Sequence, residues 1–205
     1  MKNIFYFLLL LFPLCGTAQV LDADALLDKV VSTMKAESPL QMDYSYTVYD
    51  GSEVMLRDKG VMRLGGDCYS LVMDKMSVWC DGKTQWSYMT EIDEIYITDA
   101  SSDEAQNLSP LFIMENYRRS CAKKAEILGG LAVVELQLPS EDDIEKIVLF
   151  IELESNRLKG MDIMMPSQGS VKVVLDKYQI KCNFAPGMYE CPVWQFRAAE
   201  IIDMR

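Results

Sequence analysis

From Gln41 onward the chain keeps returning to one pattern, apolar residues at every second position, broken by Gly, Asp or Asn. Met42, Tyr44, Tyr46 and Val48 alternate with Asp43, Ser45 and Thr47, and Asp50-Gly51 follows. A period of two sends successive side chains to opposite sides of an extended backbone, so such a run is a strand with one apolar face, and Asp-Gly is a hairpin turn. Val54, Leu56, Met62 and Leu64 repeat it, then Tyr69, Leu71 and Met73, then Trp86 and Tyr88, then Ile95 and Ile97. The first half reads as an antiparallel meander. Further alternating runs at 131–138, 144–154, 157–165, 170–181 and 194–196 are separated by Gly129-Gly130, Ser155-Asn156 and Gln168-Gly169. Roughly ten or eleven strands are expected.

Two segments break that period. Leu26, Leu27, Val30, Val31 and Met34 recur at helical spacing, with Asp22 placed as an N-cap and Pro39 just beyond, which predicts an amphipathic helix over 22–37. Ser109-Pro110 forms an N-cap and first-turn pair opening a short helix to about Arg119, rich in Leu111, Phe112, Ile113, Met114 and Tyr117. No linker, repeat or low-complexity tract divides the chain, so residues 19–205 are expected to form one domain of mainly β, α+β class. Strands with one apolar face must pack as two sheets or curl around an interior, and apolar helices can cover a sheet that curls incompletely.

The start of the chain has its own logic. Lys2, an apolar stretch from Ile4 to Leu14 and the small residues Cys15 to Ala18 form a signal-peptide layout. The stretch falls short of the roughly 20 residues that span a bilayer. Cleavage after Ala18 is expected; Cys15 allows a lipoprotein reading, but Phe12-Pro13-Leu14 before it are larger than lipoprotein processing favours. The formal net charge is −11, which repels nucleic acid and anionic membrane surfaces, so neither is an expected partner. After the leader, Cys68, Cys80, Cys121, Cys182 and Cys191 form an odd set. Cys68 with Cys80 and Cys182 with Cys191 are possible disulfides, and free buried thiols are an equal alternative.

Chemistry is hard to find. The chain has no histidine, which excludes every His-based nucleophilic triad and metal site. The cysteines show no C-x-x-C spacing and the glycines no phosphate-cradling motif, so no cofactor and no resident metal are expected. Carboxylates cluster at Glu91, Asp93 and Glu94, at Asp99, Asp103 and Glu104, and at Glu141, Asp142 and Asp143. Paired carboxylates could serve a glycosidase, but these fall at turns and read as solvated faces. Asp22, Asp24 and Asp28 lack the glycine and distal glutamate of a calcium loop. The expectation is a protein that is not an enzyme. Met and Tyr recur on the apolar faces, which suits a surface adapting to loosely specified apolar ligands and equally a filled β-sandwich core. Periodicity leaves both open.

The segment Asp81-Gly82-Lys83-Thr84-Gln85-Trp86-Ser87-Tyr88 resembles the D-G-K-T-x-W-x-Y hallmark of the outer-membrane lipoprotein carriers, the LolA-like periplasmic chaperones. The order of leader, N-terminal helix, hairpin through Tyr69 and Val78, motif and Ser109-Pro110 helix agrees, and the ending Ala199 to Arg205 is similar to the V-E-V-I-D-[LM]-R of one branch. The resemblance implies an incomplete antiparallel barrel with a helical lid. It implies a hydrophobic cavity for lipoprotein acyl chains, delivery from an inner-membrane ABC-type exporter, and transfer to an outer-membrane acceptor by a periplasmic monomer. By position, Tyr69, Leu71, Val78, Trp86 and Tyr88 would line the cavity, joined by Met42, Tyr44, Tyr46, Met62, Leu64, Ile95 and Ile97 from the apolar faces, while Leu111, Phe112 and Met114 would be lid residues. Where the best-known members carry Arg-Pro after the strand at Gly60, this chain has Gly65-Gly66-Asp67, with Arg63 the neighbouring substitute, so lid control differs. The rival expectation is a sensory module of the same fold that captures lipid or lipoprotein without passing it on.

Overall fold

The computed structural model describes residues 21–102, 122–138, 144–166 and 169–205. The leader at 1–18, the helix expected from Ser109 with Leu111, Phe112 and Met114, Cys121, and the acidic residues Asp103, Glu104 and Glu141 to Asp143 lie outside the described residues.

Helix α1 (Ala23–Glu37) begins where the sequence places it. Asp22 has extended backbone angles, and its carboxylate accepts from the Ala25 N–H at 3.1 Å. Leu26, Leu27, Val30, Val31 and Met34 form its buried stripe. Ser38 ends it by donating its N–H to the Met34 carbonyl, and Pro39 cannot continue the ladder.

Twelve strands follow among the described residues: β1 (Leu40–Asp50), β2 (Glu53–Gly65), β3 (Cys68–Met73), β4 (Met76–Cys80), β5 (Thr84–Met89), β6 (Glu94–Asp99), β7 (Ala122–Leu128), β8 (Leu131–Gln137), β9 (Lys146–Glu152), β10 (Arg157–Met165), β11 (Gly169–Gln179) and β12 (Glu200–Asp203). They form one open sheet in the order β12-β6-β5-β4-β3-β2-β1-β11-β10-β9-β8-β7. Two antiparallel meanders meet at a central seam between β1 and β11. At that seam Asp43 pairs with Lys177 and Tyr44 with Leu175, so Asp176 is an extra residue, a bulge that bends the strand and increases twist. A second irregularity separates Leu158 from Gly160 in β10, where a Cβ on Gly160 would lie 2.5 Å from the Val173 carbonyl oxygen. Such bulges increase the curl of the sheet, which stays open as in the incomplete barrel that the resemblance implies.

α1 lies on one face of this sheet. Its Leu26, Leu27, Val30 and Met34 share a core with Leu40, Met42, Leu64, Tyr69 and Val78 from one meander and with Val134, Leu136, Leu149 and Ile151 from the other. Polar contacts fasten it at both ends. Lys123 reaches Asp24 at 2.8 Å, Arg157 grips Glu37, and the Lys181 ammonium donates to the Ser38 carbonyl at 3.2 Å beyond the helix C-terminus.

The end of the chain departs from expectation. Residues 194–196 are no strand; Val193–Gln195 is a single 3-10 turn, and the last strand is β12, which runs parallel to β6. Between β11 and β12 the chain crosses the outer face as a strap, which a short alternating run could not reveal. The cysteine pairings expected as possible are absent, Cys68, Cys80, Cys182 and Cys191 being free thiols. In the β3–β4 ladder Cys80 stands opposite Tyr69, whereas Cys68 stands opposite Gly65 of β2, so adjacent positions send Cys68 and Cys80 to opposite faces.

Candidate ligand-binding face

Ladder register assigns each side chain to a face, because residues opposite one another in an antiparallel pair project the same way. Starting from the buried Leu40, one row runs Leu40, Leu64, Tyr69, Cys80, Gln85, Thr98 across β1 to β6, and all six are buried. The next row runs Met42, Met62, Leu71, Val78, Ser87, Tyr96. A third holds Tyr44, Gly60, Met73, Met76 and Met89, with Met73 and Met76 flanking the turn at Asp74 and Lys75. Beyond the seam the same face continues through Leu175 and Val173 to Met161 and Leu149. α1 shares a core with Leu40, Leu64, Tyr69 and Cys80 of the first row and with Met42 and Val78 of the second, and approaches β7 and β10 most closely. In the second and third, Met62, Leu71, Met73, Met76 and Met89 remain half-buried, so flexible, polarisable side chains line this stretch of the concave face.

Tyr44 and Tyr46 mark the seam side of this face. The Tyr44 ring lies so close over Gly60 that a Cβ there would fall 2.3 Å from its Cζ, which is why β2 carries glycine at that point. Its ring centre is 6.3 Å from that of Tyr46, whose hydroxyl donates to Asp58 at 3.3 Å. Burial, reinforced by Tyr46 and Asp58, drives the Tyr44 hydroxyl well above the ordinary phenol range, so it stays protonated. An open cleft of about 610 Å³ sits at the bulge; Asp43, Val61 and Val72 in its lining project from the opposite face to Tyr44, Gly60 and Met73, so it is not confined to the helix-bearing face.

Met42, Tyr44, Tyr46, Met62, Leu64, Tyr69, Leu71 and Val78 therefore share the helix-bearing face. Trp86, Tyr88, Ile95 and Ile97 do not. Cys80 pairs with Gln85, so it is Gln85, Ser87 and Met89 of β5 that face α1, while Trp86 and Tyr88 point outward together with Ile95 and Ile97 of β6. There they form a second core under the strap with Trp79, Cys191, Val193 and Phe196. The Phe196 ring stacks 4.2 Å from Tyr88 and 6.0 Å from Trp79. The D-G-K-T motif serves the turn itself: the Asp81 carboxylate accepts from the N–H groups of Lys83 at 2.8 Å and Thr84 at 2.7 Å, and Gly82 takes φ +87°. Sequence reasoning misses Met73, Met76, Met89 and Met161 as site residues. Carrying the pairing register through each turn would find them.

No family model and no curated protein matches the chain. Solved structures do. An uncharacterised conserved protein from Thermus thermophilus is similar over 88% of this chain and 98% of its own, at 9% identity and a TM-score of 0.59. A LolA superfamily protein from Nitrosomonas europaea aligns over 82% of this chain and 97% of its own, at 8% identity and a TM-score of 0.45. An outer membrane lipoprotein-sorting protein domain from Vibrio parahaemolyticus aligns over 84% and 99%, at 10% identity and 0.47. On fold, the chain shares its outline with the Thermus protein: one open, curled, mainly antiparallel sheet carrying a helix on one face.

Proposed function

We propose that this protein is a periplasmic carrier that takes up the acyl chains of lipoproteins on its helix-bearing face and moves them from the inner to the outer membrane, without chemistry. The observation that carries the reading is the methionine-rich stretch of concave face, Met62, Leu71, Met73, Met76 and Met89, left half-buried beside α1. An acyl chain in water costs about 0.8 kcal/mol per exposed CH₂, so such a surface competes with a membrane through area. Its adaptability suits cargo of varied chain length. No described helix is long and apolar enough to cross a membrane. Cargo would come from an ABC-type exporter and pass to an outer-membrane acceptor, with the acidic exterior discouraging adsorption to anionic bilayers.

The test is release of labelled lipoprotein from inner-membrane vesicles by the purified protein, followed by transfer to outer membranes. Release with transfer supports the carrier. Capture without transfer makes the protein a sensory module of the same fold, and failure to release any cargo removes the lipid-binding reading altogether.

A further inference from the structure

The first row differs in kind from the two beside it. Across β3 to β6 it holds Tyr69, Cys80, Gln85 and Thr98, four buried residues with polar atoms where an apolar face would carry only hydrocarbon. The Tyr69 hydroxyl donates to the Gln85 Oε1. The other half of that amide, Nε2, makes no hydrogen bond among the described residues, and it is not one of the side-chain atoms fully cut off from solvent although Gln85 as a whole is 3% exposed. Thr98 is 9% exposed and its Oγ1 is buried without a partner among the described residues. Gln85 and Thr98 stand directly opposite each other in the β5–β6 ladder, which brings the two unpartnered groups side by side. Buried polar groups are nearly always paired, because leaving them unpaired forfeits the hydrogen bonds they made with water. A buried hydroxyl without a partner beside an amide N–H₂ that is free to donate, on a face that otherwise suits hydrocarbon, therefore calls for a partner from outside the chain.

We propose that Gln85 and Thr98 form a polar subsite for the carbonyl oxygen of an acyl ester or amide, whose hydrocarbon runs over Met62, Leu71, Met73, Met76 and Met89. The chemistry selects this class. An amide N–H₂ and a hydroxyl are both donors, and the Gln85 carbonyl oxygen is already engaged by Tyr69, so the ligand atom they jointly recognise is an acceptor. A carbonyl oxygen accepts two hydrogen bonds and carries no charge, which suits a buried row far better than a carboxylate would. Acylated cargo contains this group at the root of each chain, so the subsite fixes where the chain starts while the methionines tolerate where it ends. This inference rests on the lipid-binding reading and adds a ligand class to it.

The test uses two compounds that differ at one position. Methyl hexadecanoate and hexadecyl methyl ether are matched in length, and the ether lacks only the carbonyl oxygen. Each is titrated as a competitor of the fluorescent apolar probe N-phenyl-1-naphthylamine bound to the purified protein. The wild type should prefer the ester by about fivefold or more, because a site built to hydrogen-bond a group discriminates against the analogue that lacks it. Thr98→Val, which keeps the side-chain shape and removes the hydroxyl, should bring the ratio toward one while leaving ether affinity unchanged; Gln85→Met should act alike. Ser70→Ala removes another buried unpartnered hydroxyl, from the opposite face, and should leave the ratio intact. A wild-type ratio near one, or an undiminished ratio in Thr98→Val, overturns the subsite while ether binding preserves the lipid-binding reading. If neither compound displaces the probe from the wild type, that reading falls and takes the subsite with it.

Discussion

The fastening of α1 at Glu37 and Arg157 can be tested quantitatively. The Arg157 Nε donates to both carboxylate oxygens of Glu37, at 3.0 and 3.2 Å, and Nη2 donates to Oε1 at 2.6 Å. The guanidinium also lies 5.0 Å above the Tyr178 ring. The side chains are 31% and 17% exposed, so the pair belongs between two regimes. Exposed ion pairs contribute about 0.2–1 kcal/mol, and breaking a fully buried pair costs about 3–5 kcal/mol. Several hydrogen bonds and partial burial place this one at about 1–2 kcal/mol of coupling. The cycle comprises the wild type, Glu37→Gln, Arg157→Gln and the double variant, each unfolded in urea and followed by the fluorescence of Trp79, which is 8% exposed. For a chain of this length the coupling corresponds to about 2–8 °C in Tm. Salt should weaken it only modestly, because water reaches little of the contact. Additivity within about 0.3 kcal/mol would show that the latch fixes geometry without contributing stability, and would refute the reasoning.

Three further outcomes follow from the same geometry. Trp86→Phe should leave apolar-probe binding unchanged while Leu71→Asp weakens it strongly, because only Leu71 shares the helix-bearing face; equal losses in a probe titration would return Trp86 to the ligand face. Burial raises the Asp162 carboxyl above its ordinary value, only partly offset by Lys172 at 3.9 Å. The folded state then binds the proton more tightly than the unfolded state, so this group favours folding at acid pH and that contribution is lost as pH rises through the raised value. Asp162→Asn should accordingly be more stable than wild type at pH 7 and no more stable near pH 3, as read from urea midpoints; an equal gain at both would contradict the assignment. Burial pushes the Cys191 thiol up to about 11, so a thiol reagent at pH 7.5 should modify it only after unfolding, and prompt labelling in the native state would show the strap to be open.

Much of this architecture is legible in the sequence because local physics dictates it. Asp22 caps α1, the apolar stripe from Leu26 to Met34 follows, and the two-residue period marks most strands within a residue or two. Faces are a harder matter, since alternation says that a strand has two sides and not which of them meets a given partner. In β5 the apolar residues Trp86 and Tyr88 point away from α1 and the polar Gln85 and Ser87 toward it. The strap buries the outer side, so apolarity there reports burial under a segment about a hundred residues later in the chain. β12 is illegible for a related reason: a four-residue parallel strand at an edge, with Ile201 half-exposed, has no pattern of its own to display.

The route of the chain through the sheet sets the order in which the molecule can assemble. Each meander is built from neighbours in sequence and can form early, whereas the seam joins residues as far apart as Gln41 and Gln179. The strap then carries the chain back from β11 to the edge at β6, so the second meander is buttoned to the first twice, once through the middle of the sheet and once around its outside. Neither half can loosen along the seam without also drawing on the Phe196 stack at the far edge. Unfolding should therefore be a single concerted event, slow to start, in which the two meanders part together instead of peeling away strand by strand.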